Sequence, residues 1–515
     1  MKRNITLIAL LVVLGAGNAS AQSFGYNETN NLFYFAQRTP QVNQMNPAFF
    51  PSSNSFYLQL PTVGTQFGFP LSLGDIVYYD EAQDANIINI NRILDTLTDN
   101  SRFRIGLDMN LLGFGLKIGN VFVDVNTQLR GNIGIGLPMS VINTVMTGNV
   151  AADGSPIPEM TLLDGSLFNT QFYLETSIGA GIRLPIIPLT VGVHAKLLSG
   201  LFNMQMDNTR VTFETEEDYK TVRAKMYYEL MAASALPLDT TGGFMNIPNN
   251  LVNTLTADPL GALSSLYDLS AGNTGVAFDI GAKYEFGPLT VSASINDLSA
   301  GIHWQKNLVA FVPQSGETAI EFDGIDLGHV LNEGNVNMDT ISTYLSEKLN
   351  GLSPKVLLDE GDYWYNIPTK VNLAATVNLG LLKAGVLLHG QFDRGLLSKN
   401  TFSSFNEAAN DANENYAALK NTFRFNTTLS VGVNLLNWME IIAASSFVYD
   451  GSPIGLSNFL NPGVGFIFTP ATLLQGYVML DYVSSIYLAD MKAFNIKAGF
   501  NIMIGHGGKR KILGF

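Results

Sequence analysis

The sequence predicts an all-β fold. It is a transmembrane antiparallel β-barrel of about 14 strands, with about 16 possible, an N-terminal plug or hatch segment and partly helical extracellular loops. Three observations lead there. The residues are 46% hydrophobic and only 14% charged, against roughly 25% charged in an ordinary soluble domain. After residue 21 no run of about 18 apolar residues occurs, so a helical span is ruled out. Apolar residues instead alternate with polar ones over runs of about 11–17 residues, where soluble strands stop near five or six. A closed barrel is the one other backbone arrangement that crosses a bilayer with every main-chain group paired.

The chain opens on a secretory signal, residues 1–21. Lys2 and Arg3 are its basic start, Ile5 to Leu14 its apolar centre and Ala19-Ser20-Ala21 its cleavage site. Residues 22–54 are the expected hatch or plug segment, 55–505 the barrel and 506–515 a basic periplasmic tail. The alternation is clearest in Val121 to Leu137, where Val121, Val123, Val125, Leu129, Ile133 and Ile135 stand against Asp124, Asn126, Gln128, Arg130 and Asn132. It recurs near 170–184, 273–286, 422–435 and 493–505. A secreted β-sandwich keeps its apolar face inside and does not need strands this long.

Tight connections at Gly119-Asn120, Pro185 to Pro188, Gly287-Pro288, Gly380-Leu381, Leu436-Asn437 and Thr469 to Thr472 alternate with long segments at 138–169, 235–272, 300–366 and 396–421. This is the short-turn, long-loop asymmetry of outer-membrane barrels. It sets strands near 55–69, 102–118, 121–137, 170–184, 189–201, 273–286, 289–299, 367–379, 382–395, 422–435, 438–450, 462–470, 474–487 and 493–505. The charged hairpin 208–234 either projects outward or adds two strands. Pro61 and Pro70 interrupt the first strand. The apolar phase slips within 102–118, which predicts a bulge near Met109 to Leu112. Helical stripes begin after Asp258-Pro259 and after Asp339, and a third runs from Ile90 to Leu97.

Residues in phase with the polar face should line the lumen. They are Asp124, Arg130, Glu175, Arg183, His194, Lys196, Asp279, Lys283, Glu285, Lys370, Lys383, His389, Asp393, Arg424, Asp481 and Lys497. The signs are mixed, so these groups are expected either to brace the wall as pairs or to line a substrate path. The formal charge of -14 gives no basis for nucleic-acid binding, and the absence of Cys removes disulfides and thiolate metal sites. No nucleophile elbow, zinc-protease helix or phosphate loop is present, so no enzyme, cofactor or metal is expected.

Gln44-Met45-Asn46-Pro47-Ala48-Phe49 lies between the signal and the first strand. An Asn-Pro-Ala motif there, ahead of this strand pattern, resembles the FadL-type long-chain fatty-acid transporters and the type IX secretion barrel PorV. The whole chain also looks like an uncharacterised Bacteroidota outer-membrane barrel family that begins with this Asn-Pro-Ala-Phe region. The resemblance implies that Asn46, Pro47 and Ala48 fix a hatch backbone. It also implies an outer membrane of a Gram-negative bacterium, with its lipids as surroundings. The function it implies first is passive passage of a small hydrophobic ligand. A secretion or assembly component that binds a protein partner through its loops is the alternative, and a porin for hydrophilic solutes is the third.

Overall fold

A computed structural model of the chain describes residues 31–50, 56–80, 84–97, 101–136, 159–165, 168–215, 222–239, 272–312, 318–322, 355–358, 362–392, 395–397, 423–435, 438–448, 461–469, 473–481 and 491–504, with isolated positions between them. The expected signal, the tail, Asp393 and the helical stripes after Asp258 and Asp339 lie outside the described residues.

A closed ring of 14 antiparallel strands forms the wall. In chain order they are β1 (Phe56–Gln59 with Val63–Gly68), β2 (Arg102–Ile118), β3 (Val121–Gly136), β4 (Phe168–Arg183) and β5 (Leu189–Thr215). Next come β6 (Thr274–Phe286), β7 (Leu289–Leu298), β8 (Thr369–Asn378), β9 (Leu382–Phe392) and β10 (Phe423–Leu435). Last are β11 (Met439–Val448), β12 (Asn461–Phe468), β13 (Leu474–Asp481) and β14 (Ala493–Ile504). Each strand pairs with its sequence neighbour, and β1 closes the seam by pairing with both β2 and β14. Thr65 sits opposite Leu107 on one side and Ile496 on the other.

The two irregularities read from the sequence have physical counterparts. Pro61 has no N–H for the ladder, and β1 breaks into two pieces around it. In β2 the register slips between Asn110 and Leu112, so one residue bulges out and the apolar phase changes face. The choice between 14 and 16 strands is decided at β5. Beyond the ring its distal half pairs with Val222–Ser234, which in turn pairs with Leu308–Val312 and Thr318–Phe322. That hairpin extends past the wall and adds no strand to it. Leu308, Ala310, Met231, Trp304 and Tyr363 make a buried core there, above the long-loop end.

The apolar face points out. Ile178 is 65% exposed, Val193 52% and Val431 57%, and Phe114, Phe278, Leu373 and Phe500 share that outer surface. Aromatic side chains gather at the strand ends. Phe67 stacks on Phe494 (ring centroids 4.9 Å apart) and Phe69 meets Phe103 (5.1 Å) toward the long loops. Tyr284, Phe286 and Trp438 are exposed at the tight-turn end. An apolar belt between aromatic rims is the surface of a lipid-embedded barrel. Among the described residues, no helix is long and apolar enough to cross a membrane.

At the turns, Gly119 (φ 61°) and Gly287 (φ 57°) occupy the left-handed region that side chains with a Cβ avoid. On the long-loop side α1 (Leu73–Ile76) and α2 (Ile90–Thr96) pack together, α2 matching the stripe from Ile90. Ser72 caps α1 reciprocally with Asp75. Asp75 also holds Arg92 (2.8 Å) and Lys492 (2.8 Å), which ties this loop to the start of β14. Burial pushes the Asp75 carboxyl up, but hydrogen bonds from Lys492, Ser72 and Arg92 hold it well below the usual carboxylate range.

Candidate functional site: the filled lumen

Residues 31–50 lie inside the ring. They form two short 3-10 turns, Asn31–Phe35 and Pro40–Gln44, joined by tight bends. Polar groups of the segment reach several sides of the wall. Asn31 donates to Asn426 (2.5 Å), the Leu32 N–H to Asp481 (2.8 Å) and Gln41 to Asn501 (2.5 Å). Tyr34 shares a hydrogen bond with Ser292 (2.9 Å). On the β8–β13 side apolar packing accompanies these bonds: Leu32, Phe33, Phe35 and Val42 pack among Ala374, Leu387, Ile442, Ile467 and Met479.

The Asn46-Pro47-Ala48 turn rests on bare backbone. The Asn46 carboxamide accepts from the Ala48 N–H (2.9 Å) and donates to Tyr34 (3.1 Å) and to the Ala293 carbonyl (3.2 Å). Facing it, Gly192 of β5 and Gly281 of β6 are paired across the ladder. A Cβ on Gly281 would collide with the Asn46 side chain and lie 2.8 Å from Pro47 Cδ. A Cβ on Gly192 would meet the Pro47 carbonyl, its carbon at 2.5 Å. These two glycines therefore make the slot that admits the turn. Pro47 fixes φ and the Asn46 side chain closes the local loop, so the seat needs little further ordering.

The β3–β7 side is charged. Lys196 is surrounded by Glu175 (3.2 Å), Asp279 (2.9 Å) and Asp297 (2.7 Å). His194 lies between Asp124 (3.3 Å) and Asp279 (3.2 Å). Arg130 faces Glu175 (3.2 Å) and Asp297 (3.6 Å), and Lys370 reaches Asp297 (3.2 Å). These acids and the Lys196 ammonium are all within a few percent of full burial, so each depends on its partners for solvation.

The other sequence-derived positions are dispersed. Lys497 pairs with Asp108 (2.8 Å) and Lys383 with Glu440 (2.5 Å), whose second oxygen faces Arg38 of the inner segment (3.3 Å). Arg183 and Lys283 meet Glu285, each at 3.2 Å, at the turn-side mouth, where Arg183 is half exposed. His389 is buried against Asn372 (2.7 Å), and Asp481 receives the Leu32 N–H. Arg424 is half-buried on β10. Three central acids went unread: Asp108, Asp297 and Glu440. Asp297 ends β7 at φ 60°, so alternation does not reach it, and its N–H donates to Asp279 (2.8 Å). Glu440 shares its inward face with Ile442 and Ala444, which hides the phase of that strand. Asp108 precedes the bulge in β2, and parity alone would have found it.

Two hollows adjoin this interior. A chamber of about 110 Å³ lies on the long-loop side of the inner segment, between Phe33, Met45, Arg130, Gln171, Asn372 and Lys497. A groove of about 420 Å³ lies on the outer wall, framed by Leu197, Val276, Ser299, His303 and Trp364. Beside the groove the β6–β7 register shifts between Phe278 and Ile280, and Asp297 and Ser299 both have positive φ (60° and 61°). His303 stacks on Trp364 at its edge (4.5 Å between centroids).

A closed ring, apolar outside and occupied inside by the chain's own residues 31–50, defines a plugged membrane β-barrel. Residues 47–480 match the family of unknown function (DUF5723), and the chain belongs to that family. No curated protein matches it. Among solved structures it is similar to the toluene transporter TodX of P. putida, at 11% identity over 91% of this chain and 93% of that one, with a TM-score of 0.38. It is also similar to a FadL homologue of Pseudomonas aeruginosa, at 8% identity over 95% of this chain and 96% of that one, with a TM-score of 0.38.

Proposed function

We propose that the chain is an outer-membrane transport barrel, closed at rest by residues 22–54 as a hatch, that passes small hydrophobic molecules. Residues 1–21 direct it out of the cytoplasm, and Asn46, Pro47 and Ala48 seat the hatch. The observation that carries this reading is the outer groove beside the broken β6–β7 ladder. Leu197 and Val276 open it to the apolar belt, so a lipid-dissolved molecule reaches it without crossing water. The register shift beside it interrupts the main-chain pairing of β6 and β7.

The test is uptake of toluene and of a short fatty acid into liposomes carrying the purified full-length protein. Saturable uptake above protein-free liposomes is expected, and Val276→Trp, which fills the groove from outside the wall, should reduce it. Uptake equal to protein-free liposomes, or unchanged in the Trp variant, would sink the reading. An open porin needs a lumen free of residues 31–50, so steady ion conductance by the intact protein would favour that instead. One observation favours a secretion component: among the described residues Lys355–Leu358 pairs on one side only, with Leu358 58% exposed. Recovery of one stoichiometric protein partner, lost when this strand carries charges, would support it.

A further inference from the structure

We propose that the tight-turn end of the barrel is a seat for anionic phospholipid, with the turns dipping into the adjoining leaflet and the basic mouth behind them taking the headgroup phosphates. The first observation is the make-up of the turns. Asp, Glu, Lys and Arg are absent from residues 118–120, 184–189, 286–289, 378–382, 435–439 and 468–474, the six hairpin connections of this end. The long-loop segment 75–95, by contrast, carries Asp75, Asp80, Glu81, Asp84, Arg92 and Asp95. Each of the six connections also presents a large apolar side chain. Ile118, Ile186, Phe286, Leu381, Trp438 and Leu473 are all exposed, Ile186 at 93% and Ile118 at 71%. Apolar groups gathered on a surface in this way mark a contact. They occur at every tight turn of the ring and run on from the apolar belt of the wall. Lipid surrounds a barrel on all sides, whereas a protein partner would cover one sector.

The second observation is the charge just behind the turns. Arg183, Thr190 and Lys283 form one row across β4, β5 and β6. Lys117 of β2 feels both of these cations as like charges. The carboxylate the three share is Glu285, which lies 3.2 Å from Arg183 and 3.2 Å from Lys283. Across β9 and β11, Lys383 (2.5 Å) and Arg38 (3.3 Å) share Glu440. The cations of this mouth therefore outnumber its carboxylates, in a chain whose formal charge is -14. Arg183 is half exposed and Lys117 half-buried, and their long stems let the charged ends reach past a short turn to the headgroup level. Basic side chains at that level attract anionic lipid, while the apolar tips beside them suit its acyl chains.

This seat is separate from the outer groove, and failure of hydrophobic uptake leaves it untouched. Its test is the full-length protein in phosphatidylcholine vesicles with a trace of spin-labelled phosphatidylglycerol or spin-labelled phosphatidylcholine, the protein-bound fraction being read by electron spin resonance. Phosphatidylglycerol should associate about fivefold more strongly, the worth of about one basic side chain at a membrane surface. Lys117→Gln and, independently, Arg183→Gln should each bring that ratio closer to one. Inorganic phosphate, compared with chloride at equal ionic strength, should leave the ratio unchanged. Because the chain has no Cys, a nitroxide on Ile186→Cys or Leu381→Cys reports on one turn alone. Each label should collide more often with oxygen dissolved in lipid than with a water-soluble nickel chelate. A ratio near one in the unaltered protein, a ratio unmoved in both Gln variants, displacement by inorganic phosphate, or labels that favour the chelate would overturn the proposal.

Discussion

The two halves of the lumen wall hold the inner segment in different ways. On the β8–β13 half, inward positions such as Leu387, Ile442, Ile467 and Met479 are as apolar as the outward ones, and Leu32 to Phe35 pack on them. On the β3–β7 half the inward positions are polar or charged, and the inner segment meets them through Tyr34 on Ser292, the Met45 carbonyl on Ser294 and the Asn46-Pro47-Ala48 turn in the gap left by Gly192 and Gly281. The first half gains chiefly by removing apolar surface from water, with a few directional bonds such as Asn31 to Asn426 and the Leu32 N–H to Asp481. The second gains only while every charge keeps its partners, and it fixes geometry more than it adds stability. An interior built this way is adhesive on one side and shaped on the other.

That contrast can be broken in graded steps. The largest effect should come from deleting residues 31–50 behind an intact signal. Planar-bilayer recordings should then change from no steady current to a sustained open level, and Gly281→Val should give a fraction of that by blocking the seat of Pro47. A deletion variant as silent as the parent would mean that other parts of the chain also block the lumen.

Next is the charged half. Lys196→Met removes the ammonium shared by Glu175, Asp279 and Asp297, and should lower stability by about 3–5 kcal/mol, read from urea unfolding in detergent. On the apolar half Leu32→Ala should cost about 2–5 kcal/mol if the cavity stays open. Because Leu32 belongs to the inner segment, the loss should appear as faster hydrogen exchange of residues 31–45, with the wall strands unchanged. Equal losses across the wall would show that the segment and barrel unfold as one unit.

The smallest effect concerns the loop at Asp75. Its carboxyl titrates below the ordinary value, so its contribution is complete above about pH 4 and is lost as the pH falls through the lower folded value. Asp75→Asn should loosen α1 and α2 by about 0.5–2 kcal/mol and remove that acid dependence, with hydrogen exchange of residues 73–96 as the readout. Persistence of the acid dependence in the Asn variant would assign it to another group.

Alternation carried the wall because lipid outside and polar contents inside impose one period on every strand. It reached the bulge in β2 for the same reason, since an extra residue moves every later side chain of that strand to the opposite face. It went no further where both faces are apolar, as at Ile442 and Ala444, or where the backbone leaves the extended region, as at Asp297. The meeting of Lys196 with three acids from β4, β6 and β7 depends on register between strands that are up to about a hundred residues apart, and a single strand carries no trace of it. Gly192 and Gly281 look like ordinary weak points in their strands until the residues opposite them are known.

The seam between β1 and β14 constrains the order of assembly. Residues 31–50 lie within the cylinder, and the cylinder shuts by joining its first strand to its last. Residues 31–50 must therefore be in place, or threaded through a late gap, before that last junction zips. Any factor that inserts such a protein into a membrane meets an edge whose partner is already tethered to the cargo of the interior, so premature closure would exclude the very segment that fills it.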